Sequence, residues 1–479
     1  MRTLIENLNF AFVVDEQDTV LRNASVVVDG DRIADIGPAE DVAARHAGAV
    51  FDKVIDGSMR GMCPGFVDSH VHLSETLSRA VFPDNLTTRA WVFHWAKPFY
   101  AHITEEDEYW GAMLGITEML RCGTTCFLDM GSQYDPGIVV RAMEHTGIRG
   151  ITGRHAADNR PAELPRGWTE EMAKHHFFPD AASALKVLEE CVLRYNNALD
   201  GRARCWVNIE GKEPCSLELH VGAVALAEKL GVGTTYHLAT SIEEAKVCES
   251  KYGCWPITRV DRAGGIRSNL VIAHGSAVSD DEVQLLAERG ASVAFCPCSS
   301  FKLGKGATRI GKYPEMVKAG VKVGLGTDGV SAAGNMNLMR QMLIVAGMFK
   351  DARMQPDVFT ARQALRAATI EGARALMWDD EIGSLEIGKK ADFILFDLDH
   401  VEWTPFYDPL QALVFSASTA SIVETWVNGK TVYCDGRVAG VDEAEIRRKA
   451  RELAAAAVER AGLHEEDVET TTTLYDEGN

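Results

Sequence analysis

No run of about 18 uninterrupted apolar residues occurs in the chain, so the sequence predicts no transmembrane helix. Positive charge is also scarce. Lys plus Arg number 49 against 69 Asp plus Glu, a formal net charge of -20. A nucleic-acid partner needs a basic footprint, and anionic membranes attract basic segments; neither partner is expected. The opening residues, Met1-Arg2-Thr3-Leu4-Ile5-Glu6, lack the apolar core and cleavage signal of a secretory leader. Internal repeats and low-complexity linkers are missing. The eleven cysteines are odd in number and scattered from Cys63 to Cys434. That pattern argues against a disulfide framework and points to a reducing cytoplasm.

What is present is an ordinary globular composition, 46% hydrophobic and 25% charged over 479 residues. Such a chain buries a large core without staples. Length alone allows roughly three domains, or fewer where one is a barrel. Both ends read as β-structure. Ala24-Ser25-Val26-Val27-Val28-Asp29-Gly30-Asp31 is a β-branched run ending in a turn signal, and Arg32 to Gly37 alternates at period two. Ala391 to Phe396 and the hairpin Val423 to Tyr433 repeat the pattern near the other end.

Between them, strands alternate with amphipathic helices. Thr104 and Asp107 make a capping-box start for a helix carrying Trp110, Met113, Leu114, Thr117 and Leu120; Gly123 stops it, and Thr124 to Leu128 resumes as a strand. Ser279 to Glu282 caps the helix after the strand Leu270 to Ala273, and Val321 to Gly326 is a late strand. Repeated strand–helix units predict an α/β chain: a (β/α)8 TIM-like barrel over 63–384. The flanking segments 1–62 and 385–440 are β-rich. Residues 441–479 then form a C-terminal helix, with Ile446, Ala450, Leu453 and Ala457 as its stripe, and an acidic tail that frays from His464. A doubly wound sheet is the alternative, but no G-x-G-x-x-G opens the first unit.

The strongest local signal is Pro64-Gly65-Phe66-Val67-Asp68-Ser69-His70-Val71-His72. In a strand, residues i and i+2 share a face, so His70 and His72 can aim two imidazoles at one ion. His237, His274 and Asp328 each end or follow an apolar strand. Strand C-termini of a parallel barrel open on one rim, so distance along the chain is no obstacle to their meeting. Imidazoles with one carboxylate around an open position are the usual ligands of a catalytic metal.

These motifs, with F-C-P-C-S-S-F-K-L at 295–303 and G-L-G-T-D-G at 324–329, resemble the amidohydrolase superfamily over nearly the whole chain. The likeness is nearest to the branch of cytosine, guanine and S-adenosylhomocysteine deaminases and triazine hydrolases. It implies that 1–62 and 385–440 build a small composite β-sandwich domain. It implies that His70, His72, His237 and Asp328 hold one divalent metal, zinc first, with iron or manganese as alternatives. It also implies that His274 polarises the substrate or the metal's water. A metal brings the pKa of its water towards about 7, Asp328 can accept and pass on a proton, and the metal or His274 can steady an oxyanion.

The chain departs from that branch in places. A Glu usually stands three residues after the strand-5 His; here it is Thr240, read as a helix N-cap completed by Glu243. The fourth strand ends in Glu210, with three competing roles: replacement acid, substrate anchor, or ligand of a second metal, to which nearby Lys212 is a further candidate. A solvated charge pair is the plain alternative. Phe295 and Ser300 stand where the branch has His and Asn, and suggest, with Trp91 and Thr240, a substrate-facing and rather apolar wall. Cys296 and Cys298 read as structural. Phe82, Trp91, Phe93, Trp95, Phe99 and Tyr100 enrich the loop after the first barrel strand, either as packing or as a substrate wall.

The expected activity is metal-dependent hydrolysis of a non-peptide C–N bond (amide, urea or carbamate) in a small, rather apolar molecule. The alternatives are an aminohydrolase or dechlorinase of an N-heterocycle such as a purine, pterin or triazine, with Glu210 or Glu243 as the acid, and an inert structural relative. The resemblance also implies a homo-oligomer, a dimer or tetramer.

Overall fold

Gly30 ends one β-branched strand in a left-handed turn, and the chain returns beside it. Hairpins join the N-terminal strands β1 (Arg2–Phe12), β2 (Val20–Asp29) and β3 (Arg32–Pro38), and β4 (Lys53–Asp56) and β5 (Arg60–Pro64) then pair with β1 in parallel. The computed structural model describes residues 1–463; the tail from His464, expected to fray, lies outside the described residues. Alternating strand and helix follow through β6 (Phe66–Val71), β7 (Thr124–Asp129), β8 (Arg149–Thr152), β9 (Ala203–Cys205), β10 (Val207–Gly211), β11 (Thr234–Leu238), β12 (Leu270–His274), β13 (Ser292–Phe295) and β14 (Val323–Leu325). The series ends with β15 (Phe393–Asp397), β16 (Ile422–Val427), β17 (Lys430–Cys434) and β18 (Arg437–Val438).

Both ends of the chain meet in one nine-stranded sheet, ordered β18-β17-β16-β15-β5-β1-β2-β3 with β4 beside β1. The junction is the antiparallel pair β5–β15, where Cys63 faces Ile394. Ile5, Leu8, Val26, Ile33, Phe393 and Trp426 form an apolar cluster of their own there.

The middle strands pair in parallel, as β6-β7-β8-β9 and β10-β11-β12-β13-β14. Every residue of β6, β7 and β12 is buried, as expected of parallel strands covered on both faces. The expected fourth strand is broken at Trp206. Trp206 N–H still donates to Thr152 O at 2.9 Å, whereas Val207 N–H donates across to Gly233 O at 3.2 Å. At the other edge Asp328 N–H donates to His70 O at 2.9 Å, beyond the end of β14.

The expected capping boxes form at Thr104–Asp107 and Ser279–Glu282. The C-terminal helix Glu443–Ala461 buries Ile446, Ala450 and Ala457. Ala450, Ala457 and Ala461 pack with Phe82, Trp91, Trp95 and Phe99 in a cluster separate from the main core. The last helix thus braces the aromatic loop. A buried ion pair ties the parallel strands to the terminal sheet: Arg149 Nε donates to Asp392 Oδ2 at 2.8 Å, and Asp392 Oδ1 accepts from Asn428 N–H at 2.7 Å. No helix among the described residues is long and apolar enough to cross a membrane.

Candidate metal centre and active site

Five strand-end residues converge. His70 is the penultimate residue of β6 and His72 follows that strand, His237 is the penultimate residue of β11, His274 ends β12, and Asp328 follows β14. His72 Nε2 lies 3.2 Å from His237 Nε2. Asp328 Oδ1 lies 3.6 Å from both His70 Nε2 and His72 Nε2, and its Oδ2 is 3.9 Å from His274 Nε2. The ligand atoms of His70, His72 and His237 fall within 4.8 Å of one another. Two of these residues sit in the left-handed region, His274 at φ 75° and Asp328 at φ 61°. Side chains with a Cβ rarely adopt it, and such strain collects at functional sites. Gly326 makes the approach feasible: a Cβ there would stand 2.9 Å from His70 Cβ and 3.0 Å from Cys296 Sγ.

The donor set fits a divalent ion. Both ring nitrogens of His70 are buried without a hydrogen-bond partner, which is costly unless something else satisfies them. His237 Nδ1–H donates to Glu210 O at 2.7 Å, leaving the Nε2 lone pair free. Burial pushes His72 down to about 3 and holds His237 and His274 well below the usual imidazole range. Neutral imidazole is the ligating form. Burial alone would raise Asp328, but the adjoining His70, His274 and Lys305 outweigh it and keep the carboxyl well below its ordinary value.

Several neighbours were not legible as site residues. Glu75 Oε1 lies 3.5 Å from His72 Nδ1, and its Oε2 accepts from Ser331 Oγ at 2.6 Å. Gly329 makes room for that carboxylate, since a Cβ would stand 1.9 Å from Oε2. The signal was present as His72-x-x-Glu75, a spacing that a 3-10 turn over Leu73–Ser78 folds back on itself. Asp68 accepts from Thr327 N–H at 3.0 Å and so fixes the residue before Asp328.

A cavity of about 280 Å³ opens over the cluster. Trp91, Phe93 and Tyr100 line it, whereas Phe82, Trp95 and Phe99 pack behind, so the aromatic loop supplies both cavity lining and packing. Phe295 and Ser300, expected to face substrate, do not line it. Phe295 is 1% exposed and stacks on Tyr313 with centroids 3.7 Å apart, and Ser300 Oγ accepts from Ala307 N–H at 3.2 Å. Cys296 and Cys298 are free and buried, with Cys296 beside His70 and Asp328.

Glu210 lines the cavity but both its oxygens are engaged, by Lys97 Nζ at 2.6 Å and by His176 Nε2 at 3.1 Å. Burial would raise its carboxyl; the Lys97 ammonium and the His176 bond outweigh that and hold it well below the usual range. The solvated pair with Lys212 is therefore replaced by a buried pair with Lys97. Thr240 also differs from expectation. The helix cap is Ser241, accepting from Glu244 N–H at 3.3 Å, and the partner of Thr240 is Glu244 rather than Glu243. Thr240 Oγ1 donates to Glu244 Oε2 at 2.8 Å, and the Ala239 and Thr240 N–H groups donate to the same carboxylate.

Residues 62–432 match the profile of the amidohydrolase family. The chain belongs to that family. It is 37% identical over 442 residues to a 5-methylthioadenosine/S-adenosylhomocysteine deaminase of Symbiobacterium thermophilum, covering 92% of this chain and 95% of the relative. A deaminase of the same name from Thermoanaerobacter pseudethanolicus is 30% identical, with 93% and 97% covered. Among solved structures, a zinc-bound adenosine deaminase from Xanthomonas campestris superposes with a TM-score of 0.83 at 26% identity, covering 95% of this chain and 98% of that one. A zinc-complexed atrazine chlorohydrolase from Arthrobacter aurescens superposes at 0.83 over 94% of this chain and all of its own, and at 22% identity shares the fold. The family member described here is a metal-dependent hydrolase of non-peptide C–N bonds in small molecules.

Proposed function

We propose a zinc-dependent aminohydrolase that removes an exocyclic amino group from an N-heterocycle. The carrying observation is the Glu244 carboxylate held against Thr240 at the cavity wall, a carboxylate for the position where the sequence shows only threonine. The deaminase name shared by the relatives supports the same reading. His70, His72, His237 and Asp328 are the residues that would hold the metal, and a divalent ion supplies Lewis-acid activation of water at neutral pH. Asp328, kept ionised, accepts a proton from the attacking water and delivers it to the leaving nitrogen. His274 donates to the developing oxyanion or orients the water. Glu244 takes up a proton from solvent when substrate binds, the Thr240 hydroxyl accepts that proton while giving its own to a ring nitrogen, and its hydroxyl alone is too weakly acidic to initiate the transfer. Glu210, clamped by Lys97 and His176, orients His237 through its carbonyl and serves as an anchor on the cavity wall rather than as the acid.

A panel of aminated purines, pterins and triazines beside anilides, phenylureas and carbamates tests this. Glu244→Gln is expected to lower kcat on the aminated heterocycles by about 10²–10⁴-fold, the usual contribution of a general acid. Turnover confined to anilides and ureas, untouched by Glu244→Gln, instead supports the second reading, a hydrolase of amide or urea bonds in an apolar molecule. That reading is favoured by the apolar wall of Trp91, Val92, Phe93 and Leu303.

The same proposal includes closure of the parallel strands into an eight-stranded barrel over 63–384. The hydrogen bonds at Trp206 and from Asp328 to His70 support it. It also includes a composite β-sandwich from 1–62 and 385–440, supported by their shared sheet, and a C-terminal unit that begins at 441, supported by the helix Glu443–Ala461. A cytoplasmic location is supported by eleven free cysteines. A dimer or tetramer belongs to the proposal as well, and light scattering of the purified protein tests it.

A further inference from the structure

Lys305 is the unexplained group in the cavity. It is 8% exposed, lines the cavity with His274 and Asp328, and donates only to Ser299 Oγ, at 3.3 Å. Among the described residues no carboxylate lies within ion-pair distance of its ammonium. Lys212 lines the same cavity, also without an ion pair, with its backbone in the left-handed region at φ 52°. An ammonium removed from water without a counter-charge is unfavourable, and a second ammonium nearby makes it more so. Burial and the Lys212 charge both push Lys305 below its ordinary value. Asp328 and Glu244 oppose this electrostatically but are committed elsewhere: Asp328 to the histidine cluster, Glu244 to Thr240 and two backbone N–H groups. By contrast, Lys97 has its carboxylate in Glu210. The cavity therefore keeps two lysines beside the metal cluster and, although Glu213 and Glu243 also line it, among the described residues no carboxylate stands within ion-pair distance of either.

We infer that Lys305, with Lys212, is an anion receptor, and that the substrate carries a carboxylate or ionised ring oxygen close to the bond that breaks. The aromatic wall takes the flat apolar body and the lysines read the charge. This deepens the proposed aminohydrolase reading by naming a class of substrate, and it rests on that reading for the reaction but not for the binding. A planar pair of equal shape tests the receptor without turnover: nicotinate and its neutral counterpart nicotinamide, measured by titration calorimetry on the zinc-loaded protein. The wild type is expected to prefer nicotinate at least about ten-fold. Lys305→Met is expected to cut that preference about ten-fold or more with zinc content unchanged, Lys305→Arg to keep most of it, and Lys212→Met to cut it about three-fold. A wild type without the preference, or one that fails to bind nicotinate, overturns the inference. So does Lys305→Met with the preference intact. Should Lys305→Met not fold, Lys212→Met decides, and an unchanged preference there overturns the receptor. Failure of every aminated heterocycle in the activity panel would remove the reaction while leaving the lysine-dependent preference standing, so the two failures are distinct.

Discussion

Glu75 shows what a single carboxylate behind a ligand can do. Its Oε1 faces His72 Nδ1 while Ser331 holds the other oxygen. A partner on one ring nitrogen fixes the tautomer and strengthens the other nitrogen as a donor, and losing such a partner typically weakens metal affinity 10–100-fold. Glu75→Gln is therefore expected to weaken zinc binding by about 10–100-fold, read by competition with a chromogenic chelator, with little change in fold. Unchanged affinity would show that the carboxylate has no influence on the ligand. At this scale the sequence disclosed His70, His72, His237, His274 and Asp328 because each follows an apolar strand, and the period of two is a strong local signal. It did not disclose Lys97, His176, Glu244 or Lys305. They reach the cavity from loops and helix termini, where no periodicity says which way a side chain points. Phe295 and Ser300 misled for another reason: they were read from their places in the resembled motif, and a motif position does not tell whether a changed side chain still faces the cavity.

Individual elements were mostly legible, since capping residues and β-branched runs act locally. The break at Trp206 was not. It depends on which neighbour accepts each N–H, a tertiary choice between Thr152 and Gly233. Union of the parallel strands with the terminal sheet rests on a similar non-local contact. Arg149 is 1% exposed and pairs with Asp392, whose carboxylate also caps the Asn428 N–H in the turn between β16 and β17. Removing one member of a buried pair leaves the other charge uncompensated, at a cost of about 3–5 kcal/mol. Arg149→Met should destabilise the protein by that amount in urea unfolding, and replacing both partners by apolar residues should restore much of it. Loss of less than about 1 kcal/mol in Arg149→Met would mean that water reaches Asp392.

For the whole molecule, the sequence foretold that both ends would be β-rich and the family resemblance that they would build one domain, but not which strands would pair, because partners some 330 residues apart leave no local trace. Global electrostatics were equally hidden behind the net charge of -20. Some of the acids are deeply buried. Burial pushes Glu108 up to about 7, against the opposing bonds from Ser132 and the Gln133 N–H, and pushes Asp129 up to about 6. An unfolded chain titrates these groups near 4.5 and 3.8. Between the two values the folded state binds more protons than the unfolded one. Stability consequently falls as pH rises through that window, by up to about 1.4 kcal/mol per pH unit for each group, and levels off above the folded value. Glu108→Gln keeps a carbonyl oxygen for the Gln133 N–H but cannot ionise. Unfolding free energies at about pH 5 and about pH 8 should therefore decline less in Glu108→Gln than in the wild type, with all other titrating groups cancelling in the difference. Parallel profiles for the two proteins would mean that Glu108 ionises in the folded state as readily as in water, and that its burial carries no electrostatic weight.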